Sequence, residues 1–168
     1  MVAMAHVSED PAGYALTLKG EDAALAFGAR LAAICRPGDV IALRGGLGMG
    51  KTVIARGLVR ALAGADEDVP SPTFTLVQPY DGPEFTIHHF DLYRLNDPEE
   101  AFELDIEDAF AEGVSLIEWP ERLGPYLPER RLDILLSPGS DETARRVDLQ
   151  GRGDWPERLK QADLSDIT

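Results

Sequence analysis

One octapeptide limits what this chain can fold into. Gly45-Gly46-Leu47-Gly48-Met49-Gly50-Lys51-Thr52 has the spacing G-x-x-x-x-G-K-[ST] of a phosphate-binding P-loop. It lies between an apolar run, Val40-Ile41-Ala42-Leu43, and an amphipathic helical pattern that begins at Lys51. The order is strand, glycine loop, helix. Glycines let successive backbone N–H groups turn inward toward an anion with no side chain in the way. The helix start adds unpaired N–H groups and the positive end of its dipole. Lys51 is expected to bridge β- and γ-phosphate oxygens, and the Thr52 hydroxyl to ligate Mg²⁺. The candidate nucleotide-binding run is Gly45, Gly46, Leu47, Gly48, Met49, Gly50, Lys51, Thr52 and Val53. The alternative is a glycine-rich turn that binds nothing, which the flanking strand and helix patterns argue against. No dinucleotide fingerprint can be aligned, because Lys51 falls where the third glycine of G-x-G-x-x-G would stand.

At 168 residues the chain has the length of one domain with a real core. Its 44% hydrophobic and 27% charged residues are those of a soluble globular protein. No run approaches the roughly 18 apolar residues of a membrane span, and no signal peptide opens the chain, so a cytoplasmic location is expected. Cys35, the lone cysteine, excludes an internal disulfide and reads as a small core residue. The net charge of −14 should repel DNA and RNA unless the few arginines cluster. Any nucleic acid in the pathway is therefore expected to be held by a partner.

Along the chain, residues 1–12 carry no periodic pattern and are expected to fray. A short strand over Tyr14–Leu18 leads into a helix with Ala24, Phe27, Leu31, Ile34 and Cys35 on one face. Arg36-Pro37-Gly38-Asp39 stops it. Val40–Leu43, without polar alternation, reads as a central strand covered on both faces. Ile54, Leu58, Ala61 and Leu62 make the inward stripe of the P-loop helix, with Arg56 and Arg60 outward and Gly64 as its cap. Strands are expected over Phe74–Tyr80 and Phe85–Leu92 around the hairpin signal Asp81-Gly82-Pro83, the first near an edge because of Pro79. Pro98–Phe110 reads as one or two short helices broken near Asp105. Val114–Ile117, Leu132–Leu136 and Arg146–Leu149 read as strands, and Trp155–Leu164 as a helix. A single α/β domain over residues 1–168, a P-loop NTPase-like mixed sheet flanked by helices, is the expected architecture.

A P-loop site also needs oxygen ligands for Mg²⁺, usually a loop hydroxyl and a carboxylate. In open α/β sheets ligands sit beyond the carboxyl ends of parallel strands. Asp91 and Glu118 close two such strands. If Phe74–Tyr80 and Phe85–Phe90 form a hairpin, the second can run parallel to the P-loop strand and bring Asp91 to the phosphate end. Thr52, Asp91 and Glu118 are thus the candidate metal ligands, and Lys51, Asp91 and Glu118 the candidate catalytic residues. Either acid could instead cap a turn. Trp119, before a proline, suits either the core or a rim over a nucleotide. His88 and His89 point to opposite faces of a strand and cannot share one metal; each reads as a packed or hydrogen-bonding residue.

Four segments occur in the order of a known family: the loop at 45–52, Ser71-Pro72-Thr73-Phe74-Thr75-Leu76-Val77, His89-Phe90-Asp91-Leu92-Tyr93-Arg94-Leu95, and Ile117-Glu118-Trp119-Pro120-Glu121. The chain resembles the TsaE (YjeE) family from about residue 14 to about 150. The resemblance implies an ATPase subunit of bacterial tRNA threonylcarbamoyladenosine biosynthesis, with ATP and Mg²⁺ as cofactors. It implies TsaD and TsaB as partners, which transfer threonylcarbamoyl to N6 of adenosine 37 in tRNAs reading ANN codons. Contact with tRNA would be indirect. It also implies that Lys51 and Thr52 serve phosphate and Mg²⁺, that Asp91 and Glu118 complete the metal site, and that Trp119 neighbours the nucleotide. Ser71, Thr73 and Thr75 would be switch-like. Two positions depart from the family pattern: Gly46 replaces its usual acid, and Asp105 replaces a glycine, which suggests a different local turn.

Two other classes stay open at this point. A small-molecule kinase would need an arginine-rich lid, for which only Arg130-Arg131 and Arg145-Arg146 are available, and both pairs read as solvated strand ends. A non-hydrolysing module would use ATP only to order a docking surface. No N-K-x-D guanine element is present, which favours ATP.

Overall fold

The protein is described by a computed structural model that covers residues 13–162 and Leu164. Its elements in chain order are β1 (Gly13–Lys19), α1 (Gly20–Ala32), β2 (Val40–Arg44), α2 (Lys51–Ala63), β3 (Val77–Asp81) and β4 (Thr86–Asp91). A 3-10 helix (Pro98–Leu104), α3 (Ile106–Glu112), β5 (Val114–Glu118), a second 3-10 helix (Pro120–Tyr126), β6 (Leu132–Pro138), β7 (Ala144–Gly151) and α4 (Trp155–Gln161) follow. All seven strands join one sheet in the order β1-β7-β6-β2-β5-β4-β3. β6, β2, β5 and β4 run parallel; β1, β7 and β3 join antiparallel. The mixed α/β architecture expected from the sequence is the one observed. The expectation for residues 1–12 lies outside the described residues.

Alternation along the strands sends side chains to two layers. Ile41, Leu43, Ile87, Leu116 and Ile134 meet α1, α2 and α4 through Phe27, Leu31, Ile54, Leu58 and Trp155. Val40, Phe90 and Ile117 face the other way, against Ala101, Ile106, Ala109 and Leu123 of α3 and the two 3-10 helices. Every residue of β5 is buried, as a strand covered on both faces requires. Among the described residues, no helix is long and apolar enough to cross a membrane.

The P-loop helix α2 is seated by glycines rather than by bulky ridges. A Cβ on Gly28 of α1 would collide with the carbonyl of Ile54 and lie 2.8 Å from the amide of Leu58. A Cβ on Gly57 of α2 would strike the carbonyl of Leu25 in return. The two helices therefore touch backbone to backbone, and this fixes how deep the N-terminus of α2 sits over the sheet. At the other end of β2, Arg158 of α4 donates to both oxygens of Asp39, at 2.9 and 2.5 Å, and to the carbonyl of Ile34. Both side chains are buried, so the fork of guanidinium on carboxylate satisfies groups that water cannot reach.

Several boundaries differ from the expected ones, each for a local reason. Phe74–Leu76 is not strand: the Leu76 amide donates to the Pro72 carbonyl at 2.8 Å and Leu76 sits at φ 68, so β3 starts only at Val77. β3 and β4 do form the antiparallel hairpin, and Pro79 lies on the sheet's edge strand. Ala61 faces solvent rather than the core, while Ala55 and Val59 are buried in its stead. Arg56 and Arg60 turn outward as expected but are engaged, donating to the carbonyls of Val69 and Glu67. Asp105, between the two short helices, sits at φ 55, in the left-handed region that a glycine favours, so the break needs no different turn. α4 ends at Gln161, short of the expected Leu164. Cys35 is half-buried against the core, and burial pushes its thiol up to about 12, so the small, unreactive reading holds.

The Gly57 contact decides between two opposed effects. Alanine gains about 1 kcal/mol over glycine in a helix interior. Forcing a methyl into packed backbone costs about 1–3 kcal/mol or more, because main chain cannot rotate aside. Gly57→Ala is expected to lower unfolding stability by up to about 2 kcal/mol net in urea denaturation. A gain in stability would show that α1 and α2 can part without cost.

Candidate functional site

The loop after β2 has the geometry of an anion cradle. Gly45 (φ 143), Gly48 (φ 76) and Gly50 (φ 106) occupy backbone regions closed to most side chains, and a Cβ on Gly45 would lie 2.8 Å from the Leu136 carbonyl. Gly46 differs. It has no positive φ and nothing within 4 Å of where a Cβ would stand, so the loop's path does not need glycine there. Lys51, the first residue of α2, folds back so that its Nζ donates to the carbonyls of Gly45 at 2.5 Å and Gly46 at 3.0 Å. The same ammonium lies 4.1 Å from the centre of the Trp119 ring.

Sheet register delivers the acids. Glu118 at the end of β5 is level with Leu43 of β2 on one side and Asp91 of β4 on the other. Alternation turns His89, Asp91 and Glu118 to the face that carries α2. Glu118 accepts from the Thr52 hydroxyl, at 3.1 Å to Oε1 and 3.0 Å to Oε2, and its Oε2 is 2.7 Å from His89 Nε2. Asp91 accepts from the Ser71 hydroxyl at 2.7 Å and the Tyr93 amide at 3.1 Å, with the Thr73 hydroxyl at 3.4 Å. Loop, hydroxyl and carboxylates border one hollow of about 350 Å³, lined by Leu47–Val53, Ser71, Thr73, Asp91, Tyr93, Glu118 and Trp119.

Most residues singled out in the sequence therefore meet. Leu47, Gly48, Met49, Gly50, Lys51, Thr52, Val53, Asp91, Glu118 and Trp119 line the hollow, and Gly45 and Gly46 support it through their carbonyls. Ser71 and Thr73 reach it; Thr75 is exposed and does not. Trp119 stands on the rim at φ 60, its ring 4.9 Å from that of Tyr93. A second hollow shares Gly48, Met49, Gly50 and Val53 with the first and continues between the start of α1 and Glu142, Thr143 and Arg145.

The chain matches the family model described as "Threonylcarbamoyl adenosine biosynthesis protein TsaE" over residues 18–147. It belongs to the TsaE family. A Rickettsia bellii protein named tRNA threonylcarbamoyladenosine biosynthesis protein TsaE is 40% identical over 119 residues, 71% of this chain and 83% of the relative. The Bacillus subtilis protein of the same name is 39% identical over 111 residues, 66% and 69% of the two chains. The crystal structure of Bacillus subtilis YdiB is similar in fold, with a TM-score of 0.72 and 29% identity over 89% of this chain and 92% of that one.

Three residues of this TsaE-family site are not evident from residue type alone. His89 is fully buried and bonds Glu118 directly; the spacing His89-x-Asp91 on a strand, which puts both on one face, was the available signal. Tyr93 supplies its amide to Asp91 and its ring to Trp119. Arg145, expected to be a solvated strand end, donates from β7 to the Met49 carbonyl at 3.2 Å and so braces the glycine loop. The other arginines of those pairs are also committed, Arg130 to Asp154, Arg131 to Asp133 and Arg146 to Asp148. Each arginine of these pairs thus has a carboxylate or carbonyl partner, Arg130 and Arg146 at the exposed surface.

The donor set suits a hard cation. Thr52, Asp91 and Glu118 offer only oxygen, as Mg²⁺ prefers. Among the described residues, no three His, Cys, Asp or Glu side chains form a metal cage on their own.

Burial lowers the Lys51 ammonium below the ordinary lysine value, against the opposing pull of Glu118, Glu121 and Asp91. The charge is thus present at low pH and lost as pH rises through a value below that of a free lysine. In the nucleotide-free protein the Lys51 ¹³Cε signal should titrate below an ordinary lysine. An anion's hold on the loop should weaken on the same alkaline limb. Titration at or above the ordinary value would mean that the carboxylates outweigh burial.

Proposed function

We propose that the chain binds ATP with Mg²⁺ in the hollow at the N-terminus of α2 and hydrolyses it slowly. We propose further that it does so in support of threonylcarbamoyl transfer to adenosine 37 of tRNA, together with TsaD- and TsaB-type partners. The observation that carries this reading is the convergence of Lys51, Thr52, Asp91 and Glu118 on one hollow from α2 and two strand ends. Loop amides and the Lys51 ammonium would hold the phosphates. Thr52, Asp91 and Glu118 would hold the cation, which, when bound, draws charge from the β- and γ-phosphoryl oxygens. Trp119 offers an aromatic shelf beside the phosphates, and the second hollow, braced by Arg145, is a seat of suitable place for the base. Ser71 and Thr73 hydrogen-bond Asp91, so a change at that carboxylate reaches the segment 71–76 directly. The membership in the TsaE family supports the pathway; tRNA contact through partners fits a chain of net charge −14.

The kinase reading loses support because the arginines it would need are bonded elsewhere. Hydrolysis against mere binding is separable. Lys51→Ala should weaken ATP binding about 10- to 100-fold, the worth of a lost charge-assisted hydrogen bond. At saturating Mg²⁺, Asp91→Asn and Glu118→Gln should leave ATP binding within a few-fold and cut hydrolysis about 100-fold or more. Trp119 emission should change on addition of Mg²⁺-ATP, as phosphates draw Lys51 from the ring, and the change should vanish in Trp119→Phe. With TsaD and TsaB present, Glu118→Gln should stop tRNA modification after one turnover. Unchanged multiple-turnover modification by Glu118→Gln would favour a binding module and end the hydrolytic reading.

A further inference from the structure

Glu118 is gripped by two donors of different character. The Thr52 hydroxyl has one proton and stands almost equally far from the two carboxylate oxygens, 3.1 and 3.0 Å. Such a shared bond is readily surrendered. His89 is different: its Nε2 is 2.7 Å from Oε2, and no part of the residue reaches solvent. Its other nitrogen, Nδ1, is buried with no hydrogen-bond partner. A side chain kept only for packing would not leave a polar atom stranded; leucine or phenylalanine would fill the space without one. The imidazole is held there despite that cost, and among the described residues its one polar contact is Glu118.

We propose that His89 is a positioning residue for Glu118. It holds Oε2 from behind through an Nε2–H bond, so that Glu118 keeps its orientation when Thr52 turns away to a cation. The bond also fixes the tautomer. With the proton on Nε2, donor meets carboxylate; with the proton on Nδ1, two lone-pair-bearing atoms would face each other at 2.7 Å while a buried donor went unpaired. Position in the sheet makes the role possible: His89 and Asp91 lie on one face of β4, and Asp91 is level with Glu118. His88, one residue away, faces the other layer and stacks near Phe90. The role in cation binding rests on the Mg²⁺-ATP reading above; the pairing of His89 with Glu118 does not.

The test therefore has two arms. In the nucleotide-free protein, ¹⁵N-resolved imidazole NMR should show a proton on His89 Nε2, and that proton should shift in Glu118→Gln. An Nε2 without a proton, or no response to Glu118→Gln, overturns the pairing whatever the protein binds. In the second arm, Mg²⁺ is titrated at fixed ATP with binding, not turnover, as the readout, using wild type, His89→Gln, His89→Asn and His89→Leu. The glutamine amide can reach the place of Nε2; the shorter asparagine and the apolar leucine cannot. His89→Asn and His89→Leu should raise the Mg²⁺ half-saturation about 10- to 100-fold, with ATP binding in EDTA unchanged, and His89→Gln should recover most of the loss. Gln and Asn are both small polar replacements, so their difference decides the matter even if His89→Leu folds poorly. Equal Mg²⁺ dependence for Gln and Asn overturns the positioning role. Absence of any ATP binding by wild type would instead strike the Mg²⁺-ATP reading, leaving the first arm to judge the pairing.

Discussion

The candidate site depends on parallel register at β5. This strand is five residues long, wholly buried, and hydrogen-bonded by parallel neighbours on both sides. Because side chains alternate, a slip of one residue would send Glu118 to the layer of Phe90 and Ile117 and bring Ile117 or Trp119 under the loop. Burial opposes that slip, because it would place the Glu118 carboxylate in the apolar layer of Phe90 and Leu123 without its hydrogen-bond partners. Burying five residues in two opposed layers therefore fixes the height of a single carboxylate. The backbone contact of Gly28 and Gly57 does the same for the loop, setting how far α2 reaches over the strand ends.

Around that fixed frame the buried polar groups satisfy one another in two separate sets. The ammonium of Lys51 is bound by loop carbonyls and an aromatic face. The carboxylates of Glu118 and Asp91 are bound by hydroxyls, an imidazole and an amide. The cation of the site does not form a direct ion pair with its anions. This matters, because a buried Lys51–Glu118 pair in tight contact would have to be broken before phosphate or metal could enter, and a buried pair is expensive to break. Hydrogen bonds to hydroxyls and carbonyls are weaker obstacles. Each charged group of the site is thus held by partners weaker than an ion pair.

The features legible in the sequence were those with a short-range cause. The loop is read from glycine spacing, the buried strands from unbroken apolar runs, and the hairpin from Asp81-Gly82-Pro83. Asp91 and Glu118 are legible as strand-end acids because ligands gather beyond the carboxyl ends of parallel strands. What was not legible depends on long-range pairing. Phe74–Leu76 has strand-forming side chains, but the amide of Leu76 finds the Pro72 carbonyl instead of a neighbouring strand. Ala61 fits the helical period, yet the inward arc of α2 is set by where α1 touches Gly57. Arg145 is a strand-end arginine until β7 lies beside the loop. His89 needed the register of β4 on β5 to be known before its partner could be named.

The two departures from the family pattern separate two uses of glycine. At Gly45, Gly48 and Gly50 the backbone itself occupies the left-handed or otherwise restricted region, and a Cβ would be opposed by conformation alone. At Gly46 neither conformation nor space opposes a side chain, so an acid there would be a matter of charge rather than of fold. Asp105 makes the converse point. It takes up φ 55, a conformation that aspartate tolerates better than most residues, and lets the chain pass from one short helix to the next without glycine. The backbone thus takes a conformation at 46 that does not need glycine and one at 105 that aspartate fills in place of glycine. With Gly46 in the loop, two carbonyl bonds and one aromatic ring hold Lys51, and the acids that act on it, Glu118, Glu121 and Asp91, all lie outside the loop. The negative charge around the Lys51 ammonium therefore comes from Glu118, Glu121 and Asp91 rather than from the loop.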